Sequence, residues 1–221
     1  MIVAETKPLH ETVSSIACFR NILVAGCGSC VTVCLTGGSK AVEDLVRELS
    51  LPYRYKGEPP AFRIASVIRQ CEKDLVEENL EIPPSIDAIL SLACGAGVQT
   101  VSEVYPRLPV IPALNTTFLG AVDEPGIWEE KCRGCGDCIL AQTAGICPVT
   151  RCAKQLFNGP CGGSRDGKCE IRDDVPCAWN LIIERLTALN MMENLTRIIA
   201  PRDWSLDRSG GPRKLIPVKE L

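Results

Sequence analysis

Thiols constrain this chain more than anything else in it. Residues 132–177 read CRGCGDCILAQTAGICPVTRCAKQLFNGPCGGSRDGKCEIRDDVPC and hold eight of the 14 cysteines in a sequence of 221 residues. Cys132, Cys135 and Cys138 stand at steps of three. Cys147 precedes Pro148, and Cys152, Cys161, Cys169 and Cys177 follow singly. A C-x2-C-x2-C triplet puts three thiolates on one tight loop, close enough to grip three irons of a cubane whose fourth iron goes to a distant cysteine. Whatever fold this stretch adopts must gather those sulfurs.

Eight cysteines can form two four-thiolate metal sites or four disulfides, or can include one zinc. The first 20 residues carry Glu5, Lys7, His10, Glu11 and Arg20 without the apolar core of a secretion signal. The expectation is a cytoplasmic chain, where dense cysteine serves metal rather than disulfides. Zinc ribbons usually pair two C-x2-C knuckles; here a triplet is followed by scattered single cysteines, which favours iron–sulfur. Bacterial ferredoxins use the same triplet, and there the Cys-Pro serves the neighbouring cluster. By that logic Cys132, Cys135 and Cys138 share one cluster with Cys177, which precedes a predicted helix whose N-terminus favours a thiolate. Cys147, Cys152, Cys161 and Cys169 then make a second site, able to wrap a cubane or a zinc ion.

His10 is the only histidine, so multi-histidine zinc sites and most His-based triads are excluded. A net charge of −3 argues against a nucleic-acid surface. No run of 18 apolar residues is present to span a membrane.

Ahead of the cysteine-rich stretch, strand and helix patterns alternate. Strands are expected at 21–26, 62–68, 87–92 and 108–114 from short apolar runs bounded by Gly and Pro. Between them, 41–49 and 71–80 read as helices, as does the stretch from Val98 to Tyr105; residues 51–60 read as a loop. Ser39 is the expected cap of the first helix. Alternation of this kind predicts a parallel sheet with right-handed crossovers. Cys27, Cys71 and Cys94 each fall just past the carboxyl end of a predicted strand, where open α/β sheets keep their ligand crevice. Cys30 and Cys34, four apart, share a face if a helix begins there. Cys27, Cys30, Cys34 and Cys94 are the expected ligands of an N-terminal 4Fe–4S cluster, with Cys71 in reserve. Cys18 is expected to be a small buried hydrophobe in a lead-in helix. The turns GCGSC and CGAG have a phosphate-loop look, but neither matches G-x-G-x-x-G, and thiolates stand where a pyrophosphate would approach. A free-standing enzyme with a pocket at 94–98 is disfavoured because no acid–base constellation accompanies it.

The fold class expected is therefore α/β: a small parallel Rossmann-like sheet over 1–122, then a loop-rich, cysteine-rich metal-binding domain over 123–200 with a C-terminal helix. Trp179, Ile182, Ile183, Leu186 and Leu189 follow helical spacing in that helix, and Trp179 reads as core or cluster cover. Residues 201–221, rich in proline and charge, have too few apolar residues for a core. The segment is expected to be either disordered or an arm laid on a partner, and Trp204 favours the arm.

The blocks ICPVTRCAKQLFNGPCGG and KCEIRDDVPCAWNLIIERL resemble the cysteine-rich C-terminal domain associated with methylenetetrahydrofolate reductases. GCGSCVTVC and ILSLACGAGVQTVSEVYP, with PALNT beyond, look like the rest of the same small subunit, so the resemblance covers residues 12–205. It implies a non-catalytic partner of the flavin-bearing catalytic subunit in acetogenic bacteria, sometimes described as zinc-binding. Such a subunit would relay electrons from an electron-donating complex or ferredoxin to the partner's flavin. The partner would reduce 5,10-methylenetetrahydrofolate to the methyl form in the reductive acetyl-CoA pathway. Two or three 4Fe–4S clusters are implied, with zinc at one site as the alternative. A structural zinc adaptor tethering the reductase to its electron donor is the rival role.

Overall fold

The structure, a computed structural model, describes residues 1–51, 59–207 and 213. The chain divides into two compact units, Met1–Trp128 and Glu129–Leu221.

The first unit opens with β1 (Ile2–Thr6) and α1 (Leu9–Ile16). Then come β2 (Asn21–Cys27), the single turn α2 (Cys30–Val33), α3 (Ser39–Ser50), β3 (Ala61–Val67), α4 (Lys73–Asn79), β4 (Ala88–Leu92), α5 (Gly95–Val104) and β5 (Val110–Pro112). Strands β2 to β5 form a parallel sheet in the order β3-β2-β4-β5. Alternation along the strands explains why it is covered on both faces. Ile22 and Val24 of β2, with Leu90 and Leu92 of β4, face a cluster holding Ile16 of α1 and Val42, Leu45 and Leu49 of α3. Leu23, Ala25 and Ile89 face the other way, onto Val76 of α4 and Val101 of α5. Every residue of β4 is buried, as a central parallel strand requires.

Several expectations change in detail. Gly38, not Ser39, occupies the N-cap of α3, and no side chain caps that end. The strand expected at 108–114 is cut to three residues, because Ala113 ends its pairing and the chain turns into β6 (Leu114–Glu124). A second sheet was not anticipated: β6 pairs antiparallel with β1 and turns through Pro125-Gly126 into β7 (Ile127–Cys132), giving the order β1-β6-β7. Cys18 is not buried. Helix α1 stops at Ile16, so Cys18 falls in the following turn and is exposed. The expected loop at 51–60 lies mostly outside the described residues.

The second unit is built largely from loops. It holds α6 (Pro148–Arg151), α7 (Ala178–Ala188) and 3₁₀ turns at Met192–Thr196 and Trp204–Leu206. Its buried cluster is small: Ile146, Cys177, Trp179, Ile182 and Leu186. Trp179 is core, as its spacing suggested, and its indole N–H donates to Leu156 O at 3.0 Å.

Candidate metal centres

In the first unit the carboxyl edge of the parallel sheet collects cysteines from three crossovers. Cys27 is the last residue of β2, opposite Val67 of β3, and its thiol points to Ile68 O at 4.0 Å. The chain then doubles back. Cys27 N donates to Gly37 O at 2.8 Å and Thr32 Oγ1 donates to Cys27 O at 2.6 Å, folding Cys30 in at the head of α2. Cys94 is the N-cap of α5. Between these loops lies Cys71, preceded by a wholly buried Gln70. The Gln70 amide donates to Ala25 O at 2.9 Å and accepts from Ser91 Oγ at 2.6 Å, clamping the β3 crossover between β2 and β4. Gly97 lets α5 sit down on that clamp; a Cβ there would meet Gln70 Cβ at 3.0 Å. Cys71 is itself exposed, but partial desolvation pushes its thiol up, and the neighbouring thiols of Cys94, Cys27 and Cys30 push it further. Cys34 is turned toward β1, though the Cys30 thiol still acts on it. It is 3% exposed, donates to Ile2 O at 3.5 Å, and burial raises its thiol too.

The second unit begins its cysteine series at the end of β7. Gly134 and Gly136 take left-handed φ of 68° and 86°, which lets Cys132, Cys135 and Cys138 turn on one short loop. Gly134 N donates to Cys132 Sγ at 3.3 Å, the kind of N–H···S contact that favours a thiolate. Arg202 donates from Nη2 to Cys135 Sγ at 3.2 Å and also to Asp137 O. Its side chain is 2% exposed and lies over the Trp204 ring at 5.2 Å. Trp204 also receives Arg133 at 6.0 Å and packs near Phe157. Arg213 Nη1 donates to Gly134 O at 3.0 Å. The described part of the segment expected to lie on a partner is therefore folded onto its own triplet loop. The rest of that segment lies outside the described residues.

Past the triplet, Cys147 leads into α6. Thr150 Oγ1 contacts both Lys131 O and Cys147 O at 3.4 Å, and Arg151 pairs with Glu129 at 2.8 Å. These contacts tie the Cys147 turn to the end of β7, beside Cys132. Burial alone would raise the Glu129 carboxyl, but Lys131 and Arg151 together hold it below its ordinary value.

The last four cysteines come together differently from the expected division. Cys152, Cys161, Cys169 and Cys177 all line one small cavity. Cys177, expected beside the triplet, is carried there by the backbone. Cys177 N donates to Gly167 O at 2.7 Å and Cys169 N to Val175 O at 3.1 Å, zipping the two segments together. The expected grouping missed this because chain order says nothing about which loops zip. Gly163 N donates to Cys161 Sγ at 3.4 Å. The amides of Ile171 and Arg172 hold the Cys169 thiol below its ordinary value.

Thiol donors, N–H···S contacts and a guanidinium over one sulfur suit anionic metal–thiolate groups. Among the described residues, no three Cys, His, Asp or Glu side chains are drawn in to the closeness of a formed metal shell. The loops bring the cysteines into company, and a bound metal would draw the sulfurs inward. Gln70 and Arg202 were not singled out from the sequence. The first is one polar residue before a cysteine, and the second sits in a stretch without periodicity.

Among the described residues, no helix is long and apolar enough to cross a membrane. No curated protein and no solved structure matches the chain. Residues 111–205, which run from within β5 through the whole cysteine series to Trp204, match the family described as methylene-tetrahydrofolate reductase C terminal.

Proposed function

We propose that this chain is a non-catalytic, electron-carrying subunit of a methylenetetrahydrofolate reductase. It passes electrons to the flavin of a catalytic partner, which reduces 5,10-methylenetetrahydrofolate to 5-methyltetrahydrofolate. The observation that carries the reading is that the reductase-family match, residues 111–205, spans all eight cysteines from Cys132 to Cys177. A 4Fe–4S cluster supplies one-electron steps when bound.

The chain's own residues supply the rest. The Gly134 amide and the Arg202 guanidinium offset negative charge at Cys132 and Cys135, and burial of Trp179 and Ile182 keeps water from the loops behind them. An electron-donating complex or ferredoxin stands upstream. A zinc-held adaptor without electron traffic is the second reading.

The test is anaerobic co-purification with the flavoprotein. The expected product is a coloured complex whose broad visible absorption bleaches with dithionite, and whose flavin is reduced through this chain. A colourless chain holding zinc and no iron overturns the relay.

A further inference from the structure

We infer that the open cleft between the Cys147 turn and α7 is the docking site for an acidic one-electron carrier, a small protein whose carboxylates meet Lys131, Arg151 and Arg185. This deepens the relay reading of the chain and rests on it.

The cleft holds about 590 Å³ and lies wholly within the second unit. Its apolar floor comes from Leu140, which is 37% exposed, and from Leu181 and Ala188 of α7. Apolar side chains in a concave surface, with a few charged groups converging on it, are the makings of a binding site.

Charge selects the occupant. Lys131 and Arg151 share one carboxylate, that of Glu129, with Arg151 at 2.8 Å from it. Arg185 reaches from α7 toward the Gly145 turn, where a Cβ would stand 3.9 Å from its Nη1. Its guanidinium has no ion pair among the described residues. Glu184 is the only carboxylate among the described residues of the lining. Three cations therefore face two carboxylates, a positive surplus on a chain whose net charge is −3. An acidic surface is its complement.

Cys147 stands in the same wall, and Thr150 ties its turn to Lys131, beside Cys132. A carrier seated here has a sulfur of the cysteine series beneath it. The reduced carrier gives up one electron to the group those cysteines hold, and no bond forms or breaks.

Size and charge decide between the two expected partners. Transient redox encounters bury less than about 1,200 Å² and are steered by charge, whereas permanent subunit interfaces are larger and more apolar. A cleft ringed by three cations suits a contact that must form and release, not the lasting one with the flavoprotein.

The experiment uses the full chain, purified anaerobically with its flavoprotein, and a small acidic ferredoxin as the probe, with affinity read against ionic strength. The wild type should bind the probe, more weakly as salt rises. Arg185→Glu should lower the affinity about tenfold or more at low salt, and the difference should vanish at high salt. The variant should keep its visible absorption, its bleaching by dithionite and its flavoprotein. Arg185→Lys should recover most of the affinity, and Arg107→Glu, in the first unit, should bind as the wild type does.

No binding by the wild type, or equal binding by Arg185→Glu, overturns the assignment. An equal loss in Arg107→Glu makes bulk charge the cause and overturns it too. Loss of the flavoprotein from Arg185→Glu gives the cleft to that subunit, and a changed number of copies of this chain gives it to a second copy; either result sinks the docking site. A chain that bleaches with dithionite but binds no ferredoxin keeps the relay and removes the site. A colourless chain that binds the probe keeps the site and removes the relay.

Discussion

Arg202 brings a permanent positive charge to the sulfur of Cys135, from more than sixty positions away in the chain. Its Nη2 faces the Asp137 carboxylate at 3.8 Å, while its Nη1 is buried without a hydrogen-bond partner among the described residues, an arrangement that costs on the order of 1–3 kcal/mol for an unsatisfied donor. An anionic group on the triplet would add to the charge that Asp137 already offers. Replacing Arg202 by leucine should lower the reduction potential of the triplet's cluster by about 60 mV or more, a tenfold shift in a one-electron equilibrium. Lysine should recover part of the loss, keeping the charge but not the planar stack on Trp204. Redox titration of the purified variants checks this, and equal potentials in all three proteins would remove Arg202 from the site. Gly37 carries the opposite kind of constraint. A Cβ there would stand 2.1 Å from Val31 Cγ2 and 2.8 Å from Leu92 O, inside the loop that folds Cys30 back toward Cys27. Gly37→Ala should destabilise the first unit by about 1–3 kcal/mol in denaturant titration.

At the scale of elements, legibility followed burial. Strands β2 and β4 could be read because nearly every residue in them is buried, which leaves an uninterrupted apolar run. Strand β6 could not: its sequence LNTTFLGAVDE is mostly exposed, so neither a run nor a clean alternation shows, and only its β-branched threonines hinted at a strand. The parallel register likewise made it legible that cysteines would meet at one sheet edge. Which cysteines meet depends on Gln70, a contact no spacing rule encodes. Held by that clamp, Cys71 stands with Cys27, Cys30 and Cys94, whereas Cys34 is turned to the carbonyl of Ile2. Cys71→Ser and Cys94→Ser should each lower iron by one cluster's worth. Cys34→Ser should keep iron and lose stability. Iron loss in Cys34→Ser with none in Cys71→Ser would restore the ligand set expected from spacing. Gln70→Ala should have the same effect on iron as Cys71→Ser. It should also destabilise the unit by on the order of 2 kcal/mol, because Ala25 O and Ser91 Oγ lose their buried partner.

For the molecule as a whole, the two units are held by different forces, and metal removal should separate them. The first unit has a sheet packed on both faces, with Ile22, Val24, Leu90 and Leu92 on one side and Leu23, Ala25 and Ile89 on the other. Such a core is stable through apolar burial and asks nothing of a metal. In the second unit the buried cluster is a handful of side chains around α7, and most of its residues lie in loops. If its cysteines bind metal, binding energy there would be folding energy. Stripping iron and zinc with a strong chelator under reducing conditions should therefore erase hydrogen-exchange protection across α7, from Leu181 onward, and across the zipped segments near Cys169 and Cys177. The amides of β2 and β4 should stay protected, and heating the stripped chain should still show the cooperative transition of the first unit. Full protection of α7 in metal-free protein would show that its small apolar cluster suffices, and that the cysteines of this unit are passengers in the fold rather than its fasteners.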